Sequence, residues 1–153
     1  MSIERARAHL SKHGLEERIQ EFTVSSATVA LAAEALGCEP ARIAKSLSFE
    51  KGESAILVIA AGDARIDNAK FKQRFGMKAK MLSADKVEPL IGHGIGGVCP
   101  FGVNEGIEVY LDESLRRFET VYPAAGTSAS AVHLSLDELE RASECLGWVD
   151  VTK

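Results

Sequence analysis

Residues 92–102 read GHGIGGVCPFG, with five glycines, one proline and no carboxylate in eleven positions. That density of glycine excludes a helix or a central strand. Ile95, Val98, Cys99 and Phe101 also make the stretch too apolar for an idle surface loop. The chain must therefore fold around an irregular segment. Such a loop puts backbone N–H groups where side chains would otherwise stand, which suits an anion or a developing negative charge. Residues 92–97 match GxGxxG literally, but Cys99, Pro100 and Gly102 stand where a nucleotide-binding helix should begin, and GxxxxGK[ST] is absent. The segment is thus a structural turn or a substrate-facing loop, and no cofactor is expected.

At 153 residues the chain is expected to be a single domain, 1–153, long enough to bury a sizeable core. A net charge of -4 and 46% apolar residues describe a folded chain and argue against nonspecific coating of nucleic acid. A local basic patch exists nonetheless: Arg65, Lys70, Lys72, Arg74, Lys78 and Lys80. No helix pairs a basic face with base-reading side chains, so DNA is not an expected partner. Cys38, Cys99 and Cys145 are odd in number and widely spaced, which fits reducing cytoplasm rather than a disulfide framework. No apolar run approaches a membrane span, so no membrane partner is expected. Oligomeric state is not legible.

Hydrophobic spacing predicts helices over residues 3–13, 29–36 (capped by Thr28 or Ser26), 40–44, 68–75, 84–91 and from 136 onward, the last capped by Ser135. Strands are expected at 22–26, 46–49, 55–60, 77–82, 107–111, 120–122 and 132–134. Strands and helices mix without a βαβ repeat. This predicts an α+β fold: a mixed, largely antiparallel sheet with surrounding helices.

Few side chains suggest chemistry. His9 and His13 are four apart, a spacing that can bind metal, but without a third ligand nearby or an HExxH context they read as solvated helix residues, and no metal is expected. Cys99 could be a nucleophile with His93 or a small buried thiol. Asp112 could face a ligand or only cap the next turn. Lys45 sits among apolar neighbours at the expected junction of a short helix and a strand. Either its stem snorkels to water, or its ammonium fixes a carbonyl or phosphate.

The order ARIAKSLSF around Lys45, GDARID at 62–67 with Lys70, GGVCPFG at 96–102, DESL at 112–115 and AAGT at 124–127 resembles the YbaK/proline-tRNA-synthetase-associated editing domain. The likeness covers about residues 23–139. It implies that domain's fold and a free-standing deacylase that hydrolyses mischarged aminoacyl-tRNA, often tRNA for proline carrying a small amino acid. The partner would be the acceptor end of the tRNA, with a synthetase as a further candidate. The resemblance makes Lys45 the residue on which activity depends, with Gly96 and Gly97 as backbone donors. Val98, Cys99, Pro100, Phe101 and Gly102 would line the aminoacyl end, and Ala27 and Thr28 would form its small wall. Where some relatives carry a histidine this chain has Ala124, Ala125 and Gly126, so a wide pocket is expected. Thr127 and Ser128 follow, with Ala129 and Ser130, in place of the arginine-containing loop of the cysteine-specific branch. Water is the expected nucleophile, helped by a ribose hydroxyl of the substrate. The alternative reading is a non-catalytic tRNA- or protein-binding module.

Overall fold

A computed structural model describes residues 2–23 and 28–153. β1 (Ile19–Glu21) pairs antiparallel with β6 (Ser130–Val132), and of the strand expected at 22–26 residues 24–26 lie outside the described residues. Phe22 is already irregular and Ser26 lies outside the described residues.

The main sheet has six strands in the order β7-β5-β2-β3-β4-β8. Its centre is an antiparallel hairpin of β2 (Ile43–Lys51) and β3 (Ser54–Ala61), turned at Gly52, whose φ of +61° suits glycine. β3 is the AILVIA run, and Ala55 to Ala61 are all buried because both faces of the strand are covered. β4 (Glu108–Asp112) pairs parallel with β3, and β8 (Gly147–Val149) parallel with β4. β5 (Thr120–Pro123) runs parallel to β2 only at Ile43 and Ala44, and β7 (Leu134–Ser135) pairs antiparallel with β5. The sheet is mixed, as expected.

Among the described residues, five α-helices surround it. α1 (Ser2–Ser11) buries Ala6 and Leu10, spaced four apart. α2 (Val29–Leu36) begins at Thr28, whose hydroxyl accepts from Leu31 N, and ends at left-handed Gly37. α3 (Asn68–Phe75) is capped by Asp67, and its Phe71 is fully buried against Phe49 and Phe75 with centroids 4.7 Å apart in each pair. α4 (Ala84–Ile91) follows Ser83, and α5 (Leu136–Ser143) starts with a complete capping box of Ser135 and Glu138.

Two expected elements change form. The helix at 40–44 is a 3-10 turn, Pro40–Arg42, and β2 begins at once. Residues 77–82 form no strand; they touch β2 through a single bridge, Phe49 to Met81. Flanking it, Glu50 N–H donates to Lys80 O (2.8 Å) and Leu82 N–H to Ser48 O (3.1 Å). No described helix is long and apolar enough to cross a membrane.

Candidate functional site

β5 leaves β2 after Ala44, and the Lys80–Leu82 segment reaches it only near Ser48. Between them one edge of β2 has no paired strand among the described residues. Ser48 and Glu50 direct their backbone groups to that side, so strand alternation aims Ser46 there too. A cavity of about 370 Å³ opens over this edge, at the low end of the range for small-molecule sites (~300–1,000 Å³). Val29 and Ala32 of α2 form one wall, and Leu82, Ala84 and Val87 another. Ile95, Gly96 and Val98 of the glycine loop close it, opposite Tyr122 and Ala124. Ile95 and Met81 leave more than half their surface exposed at the mouth.

Lys45 lies within β2, opposite Ala60, rather than at a helix–strand junction. The 3-10 turn at Pro40 is too short to reach it. Its Nζ donates to the carbonyls of Gly62 (3.3 Å) and Ala64, where the chain leaves β3. An ammonium has three donors, so two carbonyls fix its direction and one donor is left for a ligand. Burial pushes its pKa down, partly offset by the Asp63 charge. Asp63 is itself held by a two-pronged pair with Arg117 (3.0 and 2.5 Å), which keeps its carboxyl below the usual range. Beside Lys45 in the cavity lining, Ser46 Oγ is buried without a hydrogen-bond partner among the described residues. Buried polar groups normally have partners, and a ligand in the cavity could supply this one.

The glycine loop divides its work. Gly96, at φ +89°, faces the cavity. Gly97 does not serve as expected: its N–H donates to Gly94 O (3.0 Å), and a Cβ there would stand 2.4 Å from Gly126 O. It is the glycine that lets two loops touch. Of the loop residues expected to line the aminoacyl end, Cys99 and Phe101 are fully buried in the core and Pro100 and Gly102 line a different cavity, whereas Val98 lines this one. The Cys99 thiol is pushed up to about 12 by burial, and burial lowers the pKa of His93. His93 Nε2 lies 2.6 Å from Phe101 O and 3.6 Å from Cys99 Sγ. A thiol so far from ionising in the core is no nucleophile.

In the late loop Ala124 lines the cavity, whereas Ala125 is fully buried away from it, its N–H on Ser130 Oγ. Gly126 packs on Gly97, and Thr127 caps the turn through Ala129 N; neither these nor Ser128 lines the cavity, although Ser130 and Ala131 do. Asp112 is structural: fully buried, it accepts from Ser114 N, Val151 N and Thr152 Oγ1 (2.7 Å). Thr28 is in the lining, and Ala27 lies outside the described residues. Of the basic residues, Lys70 is turned to Asp150 (3.1 Å) and Thr152 O, Lys80 pairs with Glu50 (3.1 Å), and Arg74 lies over the Phe75 and Tyr110 rings. Arg65, Lys72 and Lys78 are exposed.

Sequence reasoning missed the walls from α2 and from residues 81–87, and it missed Ser46 and Tyr122. The Tyr122 ring is stacked on His133 (centroids 4.3 Å apart, 6° between planes). The exposed Ile95, apolar in a glycine loop, was the one signal available in the sequence.

The described residues thus form an α+β fold with an apolar cleft that holds the Lys45 ammonium and the unpartnered Ser46 hydroxyl. Residues 23–142 match the aminoacyl-tRNA editing domain, and the chain belongs to that family. It is 51% identical to the uncharacterized Bacillus subtilis protein YwhH over all of this chain and 98% of that one. Against the proline–tRNA ligase of Bacillus cytotoxicus it is 27% identical over 81 residues, half of this chain and 14% of the ligase. Among solved structures, a candidate trans-editing enzyme for prolyl-tRNA synthetase has a TM-score of 0.89 at 30% identity, over 99% of this chain and 97% of that one.

Proposed function

We propose that the chain is a free-standing aminoacyl-tRNA deacylase that hydrolyses the ester between a small amino acid and the terminal ribose, on tRNA for proline or a related tRNA. The observation that carries this reading is the pairing of a fixed Lys45 ammonium with an unpartnered Ser46 hydroxyl over an apolar cleft. Ester hydrolysis needs the tetrahedral oxyanion stabilised and water delivered. The free donor of Lys45 meets the first need or anchors the terminal phosphate, and Gly96 lines the same cleft. Ser46 Oγ takes up a polar group of the aminoacyl end. Among the described residues no carboxylate or imidazole lines the cleft, so a free ribose hydroxyl of the substrate orients the attacking water, taking up its proton as it passes its own to the leaving ribose oxygen of the ester. The apolar walls hold the amino-acid side chain. Family membership and the likeness to a ligase for proline support aminoacyl-tRNA as the substrate, an aminoacyl-tRNA synthetase as a partner and the cytoplasm as the compartment.

The test is single-turnover release from tRNAs charged with alanine, serine, cysteine or proline, by the native chain, Lys45→Ala and Lys45→Arg. The small amino acids should be released. Lys45→Ala should lose at least ~100-fold, the scale of one oxyanion donor, and Lys45→Arg should recover part, since a planar fork does not replace a point charge. Equal rates for native and Lys45→Ala would remove Lys45 from the reaction. Salt-dependent binding of charged tRNA without release would identify a non-catalytic binding module instead.

A further inference from the structure

On the far side of the glycine loop from the cleft, three side chains that are distant in sequence converge. His9 lies on α1, His13 in the turn just after it, and Glu144 at the end of α5. Glu144 Oε2 is 3.2 Å from His9 Nε2 and 3.4 Å from His13 Nε2. The three ligand atoms all lie within 4.8 Å of one another. Both imidazoles are largely shielded, with side chains 11% and 18% exposed, whereas the carboxylate is 55% exposed. Glu144 is also the one described non-glycine residue with positive φ (+53°). All three residues fall outside the stretch matched to the editing domain, 23–142. The cleft chemistry uses none of them.

We propose that His9, His13 and Glu144 bind a zinc-class divalent cation. Zinc holds imidazole nitrogen at ~2.0–2.1 Å and carboxylate oxygen at ~2.0–2.2 Å, so neighbouring donors at tetrahedral corners stand about 3.3 Å apart. The two nitrogen–oxygen separations already have that value. Two imidazoles and one carboxylate also form a donor set that suits zinc and its neighbours rather than calcium or magnesium, which favour oxygen. His9 and Glu144 line a second cavity of about 560 Å³, which shares no lining residue with the cleft. A fourth position can therefore be filled by water.

Binding asks for two local changes. His9 Nε2 is 2.6 Å from Ala142 O, too close for that carbonyl to be another corner, so the ring gives up this contact. Each imidazole must present an unprotonated Nε2, so its remaining proton sits on Nδ1 and metal uptake weakens in acid. The other charges at this cavity are Arg5, Lys12 and Glu105; Arg5 is engaged by Gly92 O (3.0 Å) and Asn104 Oδ1 (2.8 Å). The same contacts tie α1 to the base of the glycine loop. A cation clipping α1 to the end of α5 would steady that base, and it stands independently of the deacylase reading.

The probe is cobalt(II), titrated into metal-free full-length protein and followed by its visible ligand-field bands, then displaced by zinc. One equivalent should bind with tetrahedral absorption, and zinc should raise the melting temperature. Glu144→Gln and His13→Ala should each weaken the metal by at least about tenfold and abolish the zinc-dependent shift, with unchanged circular dichroism in the absence of metal. Glu144 is exposed, so its variant carries the test even if His13→Ala folds poorly. Absence of a tetrahedral cobalt band in the native protein, or native-like binding by Glu144→Gln, would overturn the proposal.

Discussion

The Lys45 ammonium is steered by two backbone carbonyls rather than by a carboxylate, and this decides how it responds to pH. Carbonyls orient the charge without neutralising it, while burial makes the charge costly and lowers the pKa. The ammonium is present below its folded pKa and lost as pH rises through it. Deacylation corrected for spontaneous hydrolysis should therefore fall in alkali, with a midpoint below the ordinary lysine value of about 10.4. Because folding disfavours the protonated form, deprotonation of Lys45 favours the folded state, so this loss is not unfolding. A rate that keeps rising through the whole alkaline range would contradict the role given to Lys45. Neighbouring alanines make a second contrast at this scale. Ala124→Leu fills cleft space and should narrow the panel of amino acids released, where a methylene is worth about 1–3 kcal/mol. Ala125→His instead overpacks a fully buried site and should cost stability, about 1–3 kcal/mol or more. Substrate panels and urea midpoints for the two variants separate these effects. The sequence showed that both alanines are small, but not which one faces the cleft, since that depends on the Ser130 hydroxyl drawing in the Ala125 N–H.

Elements with their own end signals were legible and elements that depend on neighbours were not. α3 and α4 stand at the residues expected, because Asp67 with Gly76 and Ser83 with Gly92 punctuate them. Residues 77–82 alternate like a strand, yet only Met81 bridges β2, because the edge they approach is left open for the cleft. β8 went unread: three residues, Gly147 to Val149, carry too short a pattern, and pairing with β4 makes them a strand. The capping box of α5 offers a measurable case. Ser135→Ala removes the hydroxyl that accepts from Glu138 N and should cost about 1 kcal/mol (range 0.5–2) in denaturant unfolding. The Ser135 backbone N–H, together with Arg18, keeps the Glu138 carboxyl below the usual glutamate range. That stabilisation is present above the unfolded glutamate value and is lost as pH falls through the folded one. The deficit of Glu138→Gln should thus be full at neutral pH and vanish in acid. A deficit independent of pH would show that packing, not charge, is what the substitution removes.

Across the whole molecule, a chain of net charge -4 that is proposed to act on tRNA would have to concentrate its cations. Leu47 and Phe49 of β2 share a cluster with Phe71 of α3, and alternation along the strand sets Lys45 on that same face. The basic side chains of α3 therefore stand on the side of the sheet from which the Lys45 side chain leaves. Their count was legible in the sequence, but their availability was not, since the partners come from other parts of the chain: Asp150 and Thr152 take Lys70, and Glu50 takes Lys80. Lys72 and Lys78 have no ion pair among the described residues, and both are exposed. The same distance effect hid most of the cleft. Lys45 and Gly96 could be named in advance, whereas the walls from α2 and α4 meet them only through the fold. If the face contacts phosphates, Lys72→Ala and Lys78→Ala should each weaken tRNA binding regardless of the amino acid carried. Each should reduce the slope of log affinity against log salt by about 1 and leave the single-turnover rate at saturation unchanged. Lys70→Ala should change the slope less and lower stability instead, because its ammonium already serves the carboxyl-terminal segment. Equal slopes for the native chain, Lys72→Ala and Lys78→Ala would mean that the tRNA approaches from another side and that α3 is simply a solvated face.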